Sequence, residues 1–266
     1  MCSSDLQQMA PAWAQTPPSQ RAQLLLQAAD LLQADAAQAM ALLVREAGKT
    51  WAHAVAELRE AVDFLRYYAA QLQADFDNHT HVALGPVVCI SPWNFPLAIF
   101  LGQVAAALAA GNPVLAKPAE QTPAVAAFAV QTLWRAGVPR AAVQLLPGGG
   151  REVGQPLVED TRVQGVLFTG STQTAKVLQS TLAKRLNVHG QVVPLIAETG
   201  GQNCMVVDSS ALLEQVVQDA VASAFEAAGQ RCSALRVLCV QDDVADRLVG
   251  MLQGAMAEIR MDAPAQ

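Results

Sequence analysis

From Gln20 to Glu46 apolar residues recur at helical spacing, with Leu24, Leu25, Leu31, Leu32 and Leu42 in the set, and Gly48 stands where such a helix would stop. The pattern predicts one amphipathic helix. A second is predicted over Trp51 to Leu72, with Val55, Leu58, Val62, Leu65 and Leu72 on its apolar face. Glu57, Glu60 and Asp63 lie along the same stretch and are expected to be solvated. After Leu72 the pattern shortens to apolar runs of four or five residues. Val87–Ile90, Pro113–Lys117, Ala142–Leu146, Gly165–Phe168 and Val193–Ile196 read as strands. Helices are predicted up to Ala110, over Thr122–Ala136, up to about Val158, and over Ser171–Leu186. A new unit starts near Gly201, with strands at Met205–Val207 and Arg236–Val240 and helices over Ala211–Ala228 and Val244–Ile259.

Strands that alternate with helices through short Gly/Pro turns predict an α/β fold, a doubly wound parallel sheet covered on both faces. Such sheets bind ligands at the carboxyl ends of their strands. Every unusual motif lies just after a strand: Pro92-Trp-Asn94, Lys117-Pro-Ala-Glu120, Gly148-Gly-Gly150, Thr169-Gly-Ser-Thr172 and Glu198-Thr-Gly-Gly201. The expected division is 1–6, 7–200 and 201–266. Met1–Leu6 matches nothing that follows, reads as a translated adapter or cloning scar, and is left out of the fold. The tail after Met261 stops without a closing element, so the chain is expected to be an internal fragment.

Composition narrows the function. The chain has 266 residues, 52% hydrophobic and 15% charged, enough for a large core. A net charge of −6 without a block of one sign argues against nucleic acid or an anionic membrane as partner. Five cysteines and four histidines follow no metal-ligand spacing, so no metal is expected. Unpatterned thiols suit a reducing, cytoplasmic setting. The most apolar stretch, Phe95 to Gly111, is short for a membrane span and reads as a buried helix.

The candidate chemistry centres on Cys232, in Gly229-Gln-Arg-Cys-Ser233. Arg231 and Arg236 flank it, and cationic neighbours favour a thiolate. The plain alternative is a buried, inert cysteine. Asn94 sits between Trp93 and Phe95 in a turn framed by two prolines, where a fixed amide N–H suits an oxyanion. Glu198 follows an apolar strand, and partial burial there would raise its pKa and suit it as a base. Thr169-Gly-Ser-Thr172 opens a helix whose free N–H groups suit a pyrophosphate, or is simply an N-cap. Gly148, Gly149, Gly150 and Gly154 miss GxGxxG by one residue. Lys117 after a buried strand could reach ribose hydroxyls, or be an ordinary surface lysine. Together these parts specify oxidation of an aldehyde through a thioester.

Pro92-Trp-Asn-Phe-Pro96, Lys117-Pro-Ala-Glu120, Phe168-Thr-Gly-Ser-Thr172, Glu198-Thr-Gly-Gly201 and Gly229-Gln-Arg-Cys232 resemble, in this order, the motifs of the aldehyde dehydrogenase superfamily. Within it, Leu43–Thr50, Glu60–Tyr68, Pro194–Asn203 and Cys232–Cys239 are most similar to the dehydrogenase module of the proline utilization A family. The resemblance implies an aldehyde dehydrogenase-type NAD-binding domain followed by the truncated start of an α/β catalytic domain. It implies NAD-dependent oxidation of L-glutamate γ-semialdehyde, the open form of 1-pyrroline-5-carboxylate, to glutamate; the alternatives are a dehydrogenase of another aldehyde or semialdehyde, and an inactive NAD-binding fragment of such an enzyme.

Residue by residue, it implies Cys232 as nucleophile, Asn94 with the Cys232 backbone N–H as oxyanion donors, and Glu198 as the base for water. Ile90, Ser91, Pro92, Trp93, Lys117, Glu120, Gly150, Phe168, Thr169, Gly170, Ser171, Thr199 and Gly200 would hold NAD. Phe95, Ser233 and Glu60 would line the semialdehyde pocket. Glu120 would repel a 2′-phosphate, favouring NAD over NADP. The full-length protein is expected to be a homo-oligomer, with a proline dehydrogenase domain possible upstream. The family's nicotinamide-ribose motif and substrate-carboxylate loop are expected beyond Gln266, so the 266-residue chain alone is expected to oxidise aldehydes negligibly.

Overall fold

The computed structural model describes residues 2–260 and 262. The chain divides into two compact units, residues 1–198 and 199–266.

The first unit begins with helices. α1 (Cys2–Gln15), α2 (Pro18–Ala34), α3 (Ala36–Ala47) and α4 (Trp51–Asp75) precede any strand. The single helix predicted over 20–46 is two, because Asp35 leaves helical geometry at φ −91° and ψ 21°. Its carbonyl starts the next helix by accepting from the Gln38 and Ala39 N–H groups, and its carboxylate takes Arg135. Gly48 ends α3 in the left-handed conformation (φ 64°), where glycine has no Cβ penalty. Thr50 then caps α4 by accepting from the His53 N–H. The exclusion of Met1–Leu6 from the fold does not hold structurally: α1 starts at Cys2, and Leu6 is fully buried beside Val88 and Leu115.

The sheet follows: β1 (Val87–Ile90), β2 (Val114–Lys117), β3 (Val143–Leu145), β4 (Gly165–Gly170) and β5 (Leu195–Thr199), in the order β3-β2-β1-β4-β5. β1 pairs in parallel with β2 and β4, and β2 with β3. The connections are α5 (Ala98–Ala109), α6 (Pro123–Arg135), a π-helical turn at Gly150–Gly154 running into α7 (Gln155–Glu159), and α8 (Thr172–Leu182).

Side chains of a strand alternate between faces, and the cores record it. Val87, Cys89, Val114 and Ala116 join the large core built with α2 to α6. Val88, Leu115, Val166 and Phe168 join a second core with Val158 of α7 and Leu178 and Leu182 of α8. Burial on both faces is why these strands read as continuous apolar runs. The apolar stretch before Gly111 is the buried helix α5, and among the described residues no helix is long and apolar enough to cross a membrane.

The second unit has β6 (Asn203–Val207) and β7 (Leu235–Val240) paired in parallel, with α9 (Leu213–Phe225) and α10 (Asp242–Ala257). Val207, Leu213, Val217 and Leu248 form its core. The helix predicted to Ala228 stops at Phe225. A 3-10 turn, Glu226–Gly229, follows it and carries Ala227 and Ala228 at positive φ (52° and 55°).

Candidate active site

In the first unit a cleft of about 780 Å³ opens at the carboxyl ends of the strands. Four residues expected at a cofactor line it: Ile90 from β1, Lys117 and Glu120 after β2, and Gly150 in the π-helical turn. The glycine turn lies against the side chains that follow β2. A Cβ on Gly149 would stand 3.4 Å from the Glu120 carboxylate, and one on Gly154 would stand 3.4 Å from the Lys117 side chain. The Lys117 side chain is buried and its ammonium donates to the Pro118 carbonyl at 2.9 Å. Burial pushes its pKa below the ordinary lysine value, against the opposing pull of Glu120. Lys117 is therefore not the surface lysine of the plain alternative.

Of the other expected cofactor residues in this unit, Ser91, Pro92 and Trp93 follow β1, and Phe168, Thr169, Gly170 and Ser171 end β4 and lead into α8. Ser91 is buried and its Oγ has no hydrogen-bond partner among the described residues. Buried hydroxyls are nearly always partnered, so this orphan fits a site that a bound polar group completes. Pro92 and Trp93 follow it, with Trp93 exposed. Thr169 accepts from Gln103 at 2.9 Å. Gly170 has a steric reason to be glycine, since a Cβ there would meet the Phe168 ring at 2.6 Å. The Phe168 ring itself is buried in the second core rather than in the cleft. Ser171 is an N-cap: its Oγ accepts from the Thr174 N–H at 3.1 Å. Thr174 and Gln173, in the first turn of α8, line the cleft. A helix start offers uncommitted N–H groups and a positive dipole end, so the Ser171 cap does not by itself use up the donors an anion would need. Arg151, Glu152 and Gln155 also line the cleft and were not singled out from the sequence. Their only signal was the position just after a strand and a glycine run.

Asn94 and Phe95 are partly buried in the turn after β1. Phe95 lies under the Lys49 ammonium, 4.1 Å from the ring centroid. Glu57, expected to be solvated, is buried. Its Oε1 accepts from the Leu97 and Ala98 N–H groups at 2.9 and 3.3 Å, and its Oε2 lies 3.1 Å from Lys49 Nζ. Glu60 is exposed, one helical turn further along α4, beside a groove it shares with Arg59, Asp63, Phe64 and Tyr67. The partial burial expected of Glu198 is not found. It is exposed, as are Ile196 and Ala197 before it in β5, so the edge strand of the sheet is open on both faces there.

The second unit presents the thiol. Cys232 and Ser233 are exposed in the loop between the 3-10 turn and β7. Asn203, at the start of β6, donates from Nδ2 to the Cys232 carbonyl at 2.7 Å and the Ala234 carbonyl at 2.9 Å, which fixes the loop against the sheet. Cys232 is thus exposed, not buried as the plain alternative had it. The arginines flanking it in sequence hold the turn. Arg236 donates to the Gly229 carbonyl at 2.7 Å, and Arg231 lies 3.5 Å from Glu226. Asn203 was missed as a contributor because nothing local marks a side chain that reaches 29 residues away. Thr199 and Gly200 begin this unit, with Gly200 exposed.

A protein-family model described as the aldehyde dehydrogenase family matches residues 4–266. The chain is 64% identical over 255 residues to the bifunctional protein PutA of Salmonella typhimurium, covering 96% of this chain and 19% of that protein. It is 38% identical over 269 residues to a 1-pyrroline-5-carboxylate dehydrogenase of Bacillus cytotoxicus, covering 96% of this chain and 52% of that one. It therefore spans about a fifth and about half of these relatives. Among solved structures, proline utilization A from Bradyrhizobium japonicum superposes with a TM-score of 0.94 at 50% identity, over 99% of this chain and 28% of that one. The 1-pyrroline-5-carboxylate dehydrogenase from Thermus with bound NAD does so with a TM-score of 0.92 at 32% identity, over 99% and 54%. On a match that runs nearly end to end, over both the strand-end cleft and the cysteine loop, the chain belongs to the aldehyde dehydrogenase family.

Proposed function

We propose that this chain is the nucleotide-binding and thiol-bearing part of an NAD-dependent L-glutamate γ-semialdehyde dehydrogenase acting in proline catabolism. The observation that carries the reading is Cys232, an exposed thiol on a loop fastened by Asn203. The names of the relatives, PutA and 1-pyrroline-5-carboxylate dehydrogenase, supply the substrate class. The NAD bound to the Thermus relative supports the cofactor.

In this reading the cleft of the first unit takes NAD. Lys117 and Glu120 hold the adenosine ribose, the first turn of α8 with Ser171 receives the pyrophosphate, and Ser91 gains the partner it lacks. Ile90, Pro92, Trp93, Gly150, Thr169, Gly170, Thr199 and Gly200 shape the binding surface, and Phe168 supports it from the core. When bound, NAD supplies a hydride acceptor. The chain's own groups do the rest. The Cys232 thiolate adds to the aldehyde carbon, and the Asn94 amide with the Cys232 backbone N–H holds the resulting oxyanion. Once the carbon is oxidised, Cys232 carries a thioester, and Glu198 takes a proton from the water that hydrolyses it. Phe95, Ser233 and Glu60 contact the semialdehyde. The complete protein is a cytoplasmic homo-oligomer, and the name of the bifunctional PutA relatives supports a second activity fused to this one.

The test uses a complete protein containing this chain. Cys232→Ala lowers NADH formation from the semialdehyde by roughly a thousandfold or more. Turnover that survives the substitution overturns the assignment. Glu198→Gln leaves a first burst of NADH but stalls steady-state release. Unimpaired steady turnover removes Glu198 as the base. Equal kcat/KM for an unrelated aldehyde would move the substrate reading, leaving the chemistry in place.

A further inference from the structure

Glu57 and Lys49 form a buried ion pair, with side chains 1% and 6% exposed. Removing two charges from water is costly, and a pair of apolar residues would often serve stability as well or better. The arrangement around the pair suggests what it does. Glu57 Oε1 receives the N–H groups of Leu97 (2.9 Å) and Ala98 (3.3 Å), the first free donors of α5. Leu97 is three residues beyond Asn94 in the same turn. Lys49 Nζ meets Glu57 Oε2 at 3.1 Å and also stands 4.1 Å from the centroid of the Phe95 ring, beside Asn94 on the chain. The pair therefore grips the Pro92–Pro96 turn twice, once through its exit into α5 and once through its aromatic side chain. Glu46 offers a contrast. Its carboxylate takes the Ala124 and Val125 N–H groups at the start of α6 in an exposed to part-buried setting, so capping alone does not call for a buried lysine.

We propose that Glu57, paired with Lys49, is a positioning residue that fixes the turn bearing Asn94 and so aims the Asn94 amide at the developing oxyanion. The proposal rests on the oxyanion role given to Asn94 above. A misplacement of about 1 Å at such a donor is enough to lose roughly a hundredfold in rate.

The experiment is a double-mutant cycle in the complete enzyme. The double variant Lys49→Met/Glu57→Gln removes both buried charges and keeps an amide oxygen for the two N–H donors. Lys49→Met/Glu57→Leu removes the charges and the acceptor. Both avoid an unpaired buried charge, and melting curves establish that each folds. The expected result is that the Gln form keeps kcat within about threefold, while the Leu form loses about tenfold or more in kcat with KM changed less than about twofold. In an Asn94→Ala background the Leu form then costs less than about twofold more, because the group it positions is gone. An equal loss from the Leu form in both backgrounds, or no loss in the enzyme that keeps Asn94, overturns the positioning role. An Asn94→Ala enzyme with unimpaired kcat overturns the oxyanion reading itself, and this proposal with it. That arm separates the two failures.

Discussion

Gly229 has two independent reasons to be glycine. Its φ is +68°, and a Cβ there would sit 2.7 Å from the Ala224 carbonyl oxygen. Ala227 and Ala228 before it already hold left-handed conformations that cost alanine energy. Gly229→Ala is therefore expected to destabilise the second unit by about 1–3 kcal/mol, read as an earlier urea transition. The thiols differ as sharply. Cys89 is fully buried and desolvation pushes its thiol far above the ordinary range, whereas Cys232 is exposed. Iodoacetamide should alkylate Cys232 in the folded protein and reach Cys89 only after denaturation, as peptide mass spectrometry would record. Labelling of native Cys89 would contradict the packing described. Asp160 carries a pH dependence. Arg162 donates to its carboxylate from Nε at 2.9 Å, and that bond holds the Asp160 pKa below its ordinary value. A depressed carboxylate pKa stabilises the fold above the unfolded value, about 3.9, and the benefit is lost as pH falls through the folded value. The stability gap between the parent and Asp160→Asn should thus be present at neutral pH and close below about pH 4. A gap that widens on acidification would contradict the sign.

At the scale of elements, the sheet depends on the helices that cover it. α5 is buried at nearly every position, and Phe100 within it is 0% exposed. Phe100→Ala is expected to cost about 3–5 kcal/mol, because the surrounding helices and strands cannot collapse fully into the space left. Denaturant titration of the first unit would measure it, and a loss under about 1 kcal/mol would mean the site repacks. α8 shows how one element serves two purposes. Leu182 is buried in the second core, while Gln173 and Thr174 in its first turn, and Val177, Leu178 and Thr181 further on, line the cleft. The strand–helix alternation was legible because parallel strands covered on both faces are apolar throughout. The break between α2 and α3 was not, since Asp35 interrupts a helical pattern without a glycine or proline to mark it. The early start at α1 was missed for a different reason: Leu6 has meaning only through Val88 and Leu115, more than eighty residues on.

At the scale of the molecule, two units with separate cores hold the candidate residues. The cleft, Asn94 and Glu198 belong to the first, and Cys232 to the second. All of the motifs but the cysteine motif begin at the strand ends of residues 87–198. What they did not announce was the environment of each group. Glu198 was expected to be partly buried and is exposed, because nothing local says that β5 lies at the sheet edge. Glu57 was expected in water and is buried, because its partners, the Leu97 and Ala98 amides, are about forty residues away.

The sequence by itself determined the alternation of strands and helices and the family to which its motifs belong. These are local properties: the period of apolar residues, the turn chemistry, and short runs that need particular side chains at fixed spacing. Only the tertiary structure decided which carboxylates are buried, which loops are pinned and which glycines meet a neighbour. Those depend on atoms brought together from distant parts of the chain, and burial and hydrogen-bond partnership are properties of that packing rather than of any single stretch.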